Sequence, residues 1–310
     1  MNFKFNPNFL LPFYFILFLS SCTFVDVNEA NQLRLGYMPN VTHATALLGI
    51  EKGIFQHELG EKIKLKPNHF VVGNSIIDAF ITNQIDIAYI GPGPFINAVY
   101  RKIPVKLLSG AAYGGTVIIG DESTKGLKEA SRVVVPQYGN TQDLILRIYL
   151  ERKKLAGKIK IIAIPPQDTG SAFFTMSVDA ACLPEPWGTI LLGKGKFNLI
   201  EDEKSVLSNG NYPVTLLIVS SEYEKKNPDV VGRFINAHEK INRFITENPE
   251  QAVKIVTESI SNISRKMIDK NIVEKALKRC SFSSKLDLSI MEELKLAGVK
   301  AGYYKIKKDF

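Results

Sequence analysis

Residues 84–94, Gln84-Ile85-Asp86-Ile87-Ala88-Tyr89-Ile90-Gly91-Pro92-Gly93-Pro94, and residues 178–187, Val178-Asp179-Ala180-Ala181-Cys182-Leu183-Pro184-Glu185-Pro186-Trp187, share one local grammar. Each is an apolar run of strand length that ends in a proline-bearing loop and passes into a helical pattern. The same grammar extends outward from both. Ahead of the first stretch, Leu33–Tyr37 alternates as a strand, Met38-Pro39-Asn40 turns, and Ala44, Leu47, Leu48, Ile50 and Phe55 recur at helical spacing. A second strand at Ile63–Lys66 leads to Val72-Gly73-Asn74-Ser75, where Ser75 with Asp78 reads as a capping box. The helix after the first stretch is expected from Phe95 to about Arg101. Ahead of the second stretch stand the strand Arg132–Val135, the loop Pro136–Thr141 and a helix carrying Leu144, Ile145, Ile148, Tyr149 and Leu150. The strand Ile159–Ile164, the loop Gln167–Gly170 and a short helix Ser171–Met176 complete that copy.

Strands alternating with helices imply parallel sheets joined by right-handed crossovers. Two copies imply an α/β protein of two lobes, each a mostly parallel sheet flanked by helices. They join near Ser109–Gly115, where Gly114-Gly115 lets the chain bend between lobes. After Pro213 come a strand, Val214–Ser220, and helices at 228–247, 249–258, 264–279 and about 287–297. The last two are rich in charge and are expected on the outside of lobe one.

The 310 residues are 45% hydrophobic and 23% charged, an ordinary globular composition. Residues 1–21 carry one charge, Lys4, before the apolar run Phe9–Leu19, and read as a signal peptide. The run ends in Leu19-Ser20-Ser21-Cys22, which resembles the bacterial lipobox, so Cys22 is expected to be lipidated and 22–31 to form a tether. Without the leader there are 38 basic residues against 31 acidic, a charge of +7. An exported address argues against nucleic acid as the partner, and scattered lysines are usually solvated helix faces. Of the remaining cysteines, Cys182 lies in an apolar run and reads as a buried thiol; a bridge to Cys280 is left open.

In open α/β sheets, ligands bind beyond the carboxyl ends of the strands, where helix N-termini present free N–H groups and about half a positive charge. The loops so placed are 38–43 and 91–95 from lobe one, and 138–142 and 184–187 from lobe two. Their candidate contacts are Asn40, Thr42, His43, Gly91, Pro92, Gly93, Gly115, Gly139, Asn140, Thr141, Gln142, Glu185 and Trp187. Such a cleft favours a small oxyanion. Each loop also has a plainer reading: Gly91–Pro94 as a rigid turn, Asn40, Thr42, Asn140 and Thr141 as caps, Trp187 as core.

The segments Gly36–Ala44, Gln84–Pro94, Gly139–Asp143 and Val178–Trp187, in that order, resemble the nitrate/sulfonate/taurine family of substrate-binding proteins for ABC importers. The resemblance covers roughly residues 32–260. It implies a type II periplasmic-binding-protein fold with a two-stranded hinge: residues 32–112 and 214–310 in lobe one, 113–213 in lobe two. It implies a monomer that captures a small anionic or zwitterionic solute (sulfonate, taurine or nitrate) and delivers it to a permease and its ATPase. No cofactor, metal or catalytic residue is expected. With Cys182 and Cys280 in different lobes, both are expected as free thiols. One departure from the family is the short stretch between Ile164 and Val178, which leaves that rim of the cleft reduced. Glu185 is ambiguous, since a carboxylate in an anion site needs a cation beside it; it could hold the amine of a zwitterion or cap a neighbouring amide. Alternatives on the same scaffold are an enzyme or binder of a thiamine-pyrimidine precursor, and a sensor that presents ligand to a receptor. Relatives in thiamine pyrimidine biosynthesis use a Cys-rich segment and a cofactor-bound Lys; here only Cys182 and Cys280 are available beside Cys22. The chain lacks a G-x-x-x-x-G-K-[ST] phosphate loop.

Overall fold

A computed structural model describes residues 31–175 and 178–304. The leader, Cys22 and all but the last residue of the expected tether lie outside the described residues, as does Met176. Two sheets form. The first is ordered β11 (Cys280–Phe282), β4 (Val105–Gly114), β10 (Pro213–Ser220), β3 (Ile87–Ile90), β1 (Gln32–Tyr37), β2 (Lys64–His69). The second is ordered β7 (Lys160–Ala163), β6 (Arg132–Val135), β8 (Ala180–Pro184), β5 (Thr116–Asp121), β9 (Phe197–Glu201). The repeated grammar supplies the parallel triplets β2-β1-β3 and β7-β6-β8. The strands that the crossings add run antiparallel, so each sheet is mixed.

Helices α1 (Ala44–Glu51), α2 (Ile54–Leu59), α3 (Gly73–Ile81) and α4 (Pro92–Tyr100) belong to the first copy. Helices α5 (Thr141–Arg152), α6 (Thr169–Thr175), α7 (Trp187–Leu192) and α8 (Glu203–Val206) belong to the second. The chain ends in α9 (Ser221–Lys226), α10 (Pro228–Glu247), α11 (Pro249–Ser264), α12 (Lys270–Lys278) and α13 (Leu288–Lys300). Among the described residues, no helix is long and apolar enough to cross a membrane.

Alternation along the strands explains the layers. Ile87, Tyr89, Leu217 and Val219 face a core shared with α1, α10 and α11, while Ala88, Ile90, Leu216 and Ile218 face the opposite one. Burial on both faces is why the central strands read as unbroken apolar runs. The second of these cores continues without a break into the other sheet, through Val133, Val135 and Cys182, with α4, α5 and α13 between. The two lobes therefore share an apolar seam. Beneath the crossing strand β4, buried His238 accepts at Nδ1 from the Tyr89 hydroxyl (2.9 Å) and donates from Nε2 to the Gly110 carbonyl (2.9 Å). Burial pushes this imidazole down to about 4.

The sheets are joined by two crossings held side by side. One passes through Gly114 and Gly115, both left-handed (φ 71° and 63°), and the other returns through Tyr212, whose carbonyl accepts from the Gly114 amide at 3.0 Å. Only glycine takes two such consecutive conformations cheaply.

Three local expectations change. Helix α3 starts at Gly73 without a side-chain cap, so Ser75 and Asp78 form no capping box. Helix α4 starts at Pro92 and not at Phe95, because a first helical turn has no use for the N–H groups that proline lacks. Helix α13 does not lie on the outside of lobe one; it packs across α4 and α5, touching both lobes.

Candidate functional site

The carboxyl ends of β3 and β6 meet at the seam, where the structure brings two of the four expected loops, 91–95 and 138–142, into contact. The closest approach is backbone on backbone. A Cβ placed on Gly93 would lie 2.6 Å from both the Gly139 carbonyl oxygen and the Asn140 carbonyl carbon. One on Gly91 would lie 2.4 Å from Thr141 Oγ1. Gly91 and Gly93 are thus required by the contact between lobes and not only by a turn. At this point Thr141 Oγ1, 3% exposed as a residue, accepts from the Gly93 amide at 3.3 Å. Pro92 has no amide to donate, so it shapes the α4 terminus without contacting an anion through N–H.

The loop amides expected to face outward have partners inside the protein. Asn40 Oδ1 accepts from the Thr42 amide (2.9 Å) and hydroxyl (2.7 Å). Asn140 Oδ1 caps α5 at the Asp143 amide (2.9 Å), and Asp143 Oδ2 accepts from the Gly139 amide (2.7 Å). Gln142 donates from Nε2 to Thr116 Oγ1 at 3.2 Å. Glu185, fully buried, accepts from the Thr189 amide (3.1 Å) and hydroxyl (2.9 Å), so its carboxylate is the anion that the α7 terminus already holds. The amide cap considered for Glu185 is formed here, by Thr189. Trp187 packs half-buried against the Val117 and Leu183 core of the second lobe.

Beside Glu185 stands a residue that sequence reasoning missed. Arg279, just after α12, reaches Glu185 at 3.3 Å through Nε and Glu203 at 3.1 Å through Nη1. Burial pushes the Glu185 carboxyl up, and Thr189 and Arg279 pull it back only in part. Arg279 also accepts from Gly115 through its carbonyl (2.9 Å), and Gly115 stands against Cys280 Sγ and Thr42. Cys182 and Cys280 are unbridged; burial pushes both thiols up.

His43 differs from its neighbours. It is 1% exposed, accepts at Nδ1 from the Met38 amide (3.3 Å), and burial pushes its imidazole down to about 3. It is therefore neutral with its proton on Nε2, and no described residue accepts from that nitrogen. An unpaired buried donor costs about 1–3 kcal/mol. Among the described residues, no group of three or more His, Cys, Asp or Glu side chains could hold a metal ion.

Two crossings, two α/β sheets and helix termini converging on a shared seam define the periplasmic-binding-protein fold. The crystal structure of the periplasmic nitrate-binding protein of Synechocystis PCC 6803 matches with a TM-score of 0.76 over 90% of this chain and 83% of that one, at 15% identity. A sequence profile of the NMT1-like family matches residues 26–259, and the chain belongs to that family. A Brucella abortus (strain 2308) protein, provisionally named a binding protein, is 27% identical over 230 residues, 72% of this chain and 70% of its own. A Bacillus subtilis (strain 168) protein, provisionally named an aliphatic sulfonates-binding protein, is 24% identical over 262 residues, 82% of this chain and 75% of its own.

Two substitutions test the geometry. Gly93→Ala places a methyl group against the 139–141 backbone while improving α4 as a helix. Small-angle scattering is expected to show a larger radius of gyration than wild type with helical circular dichroism retained; an unchanged radius means that the contact does not hold the lobes together. Arg279→Met leaves Glu185 buried without its cation and is expected to cost about 2 kcal/mol or more at pH 7. Because the Glu185 pKa then lies still further above its unfolded value, the lost stability returns as pH falls toward 4.5. Adding Glu185→Gln is expected to restore most of it at pH 7 in denaturant titrations.

Proposed function

We propose that the protein is the exported, solute-receiving component of an ABC importer. In this reading it is anchored to the membrane surface by a lipid on Cys22, closes its lobes on a small anion or zwitterion, and delivers it to a permease powered by a separate ATPase. One observation carries the reading: an oxygen, Thr141 Oγ1, sits between the first turns of α4 and α5 and accepts the Gly93 amide across the seam. We read this hydroxyl as occupying the place of a ligand oxygen, which enters when the lobes are apart and takes the same donor as they close on it. His43 Nε2–H supplies a second, neutral donor. Asn40, Thr42, Asn140 and Gln142, now bonded to one another or to nearby backbone, are the polar groups that can turn to a ligand.

The charge balance narrows the ligand. Arg147 and Arg279 at the seam are each committed to carboxylates, Asp143 for the first and Glu185 with Glu203 for the second. Capture then rests on N–H dipoles and neutral donors, which suits a singly charged sulfonate or nitrate, or taurine, better than a dianion. The names of the Bacillus subtilis and Synechocystis proteins point the same way. Names that describe binding, in the relatives reported above, favour capture over catalysis.

A thermal-shift panel decides between these. At about 100 times its dissociation constant a cognate anion stabilises by about 2.7 kcal/mol, roughly 5 °C in melting temperature for a chain of this size. Alkanesulfonates, taurine or nitrate are expected to give that shift and sulfate a smaller one; a panel with no shift overturns the anion reading. The anchor is tested separately. In a bacterial host, wild type is expected in the membrane fraction and Cys22→Ser in the soluble exported fraction; equal partitioning removes the lipid.

A further inference from the structure

Helix α13 ends in a Schellman stop. Gly302, left-handed at φ 79°, donates to the Val299 carbonyl (2.9 Å), and Tyr303 donates to the Gly298 carbonyl (3.0 Å). The reversal directs two consecutive tyrosines onto opposite sides of the seam. The Tyr303 hydroxyl donates to Asp143 Oδ2 at 2.5 Å and accepts from Arg147 at 2.8 Å, and the Arg147 guanidinium lies over its ring. These partners are on α5, and the same Asp143 oxygen holds the Gly139 amide. The Tyr304 ring stacks on Tyr100 of α4, with centroids 4.5 Å apart and planes within 8°. Its hydroxyl stands 3.5 Å from the Gly93 carbonyl. Gly298 is the residue that makes room, since a Cβ there would lie 2.1 Å from the Tyr304 ring. Two ion pairs, Arg152 with Glu293 and Lys300 with Glu151, tie α13 to α5 farther along.

We propose that Tyr303 and Tyr304 are positioning residues that latch the two ligand loops together from behind, Tyr303 through Asp143 in the first turn of α5 and Tyr304 through its stack on Tyr100, which holds α4 and the 91–95 segment at its start. They raise the closed population before any ligand binds, and parting the lobes to admit a ligand must first release Tyr303 from Asp143. The latch rests on the reading of the two sheets as lobes that separate, but not on which solute enters. Its contribution scales the affinity by the fraction of molecules able to open and close.

Hydrogen exchange on the full chain without added ligand tests it, with Gly93→Ala as the control for opening. Tyr303→Phe keeps the ring and loses two charge-assisted hydrogen bonds, so the 139–143 amides are expected to exchange about tenfold faster or more. Tyr304→Phe keeps the stack and is expected to leave 91–95 unchanged, whereas Tyr304→Ala accelerates it. In each variant β3 and β6 are expected to stay as protected as in wild type. If Gly93→Ala accelerates both loops and Tyr303→Phe accelerates neither, the lobes part but the latch is wrong. If Gly93→Ala also changes nothing, the moving-lobe reading itself fails. Equal acceleration in β3 and β6 reduces Tyr303 to general stability and overturns its positioning role.

Discussion

Everything at the seam depends on two stretches of main chain approaching too closely to leave room for a Cβ on one of them. Gly91 and Gly93 meet Thr141, Gly139 and Asn140 at distances that exclude a Cβ. Because the approach is that close, the amide of one loop reaches a hydroxyl of the other, and an apolar core can run from lobe to lobe behind them. Glycine at these positions contributes nothing by packing; it permits a contact that any other residue would hold open. The same constraint sets the geometry of the crossings, where Gly114 and Gly115 turn the chain between sheets while staying bonded to the returning strand at Tyr212.

A helix terminus attracts an anion whether or not that anion is the ligand. Glu185 at α7 and the caps Asn40 and Asn140 use the positive ends of their own helices, which lowers the cost of burying them and leaves fewer donors for a solute. These polar groups are thereby satisfied within the protein. On the reading proposed above, a solute would have to replace these internal partners. His43 stands apart from these caps: its Nε2 proton has no described partner, and burial keeps it neutral far below ordinary pH.

The sequence made the lobes legible because their pattern is local. A strand, a proline-bearing loop and a helix recur within about 20 residues, and Asn140 caps a helix three residues away, as spacing alone suggests. One misreading was local as well: Gly91-Pro92-Gly93-Pro94 carries the residues of a turn, yet proline is equally at home in the first turn of a helix, where α4 uses it. What stayed hidden lies far along the chain. Arg279 meets Glu203 across 76 residues and Tyr303 meets Asp143 across 160. No periodicity carries that information, since only the packing of α12, β11 and α13 onto the seam brings those side chains there.

That packing changes the mechanics of the molecule. A hinge of two crossing strands resists separation weakly, since few interactions need break when the lobes swing. The C-terminal segment adds a fastening on each flank: Arg279 beside the hinge, bonded to Glu185 and Glu203, and the Tyr303–Tyr304 pair behind the ligand loops. One flank is ionic and the other mixes charge-assisted bonds with an aromatic stack, so they respond differently to what enters the cleft. An ion that competes for Arg279 loosens the hinge side while the tyrosines still hold the far side. On the reading proposed above, opening needs the Tyr303–Asp143 bond to release as well, so the two fastenings give way separately.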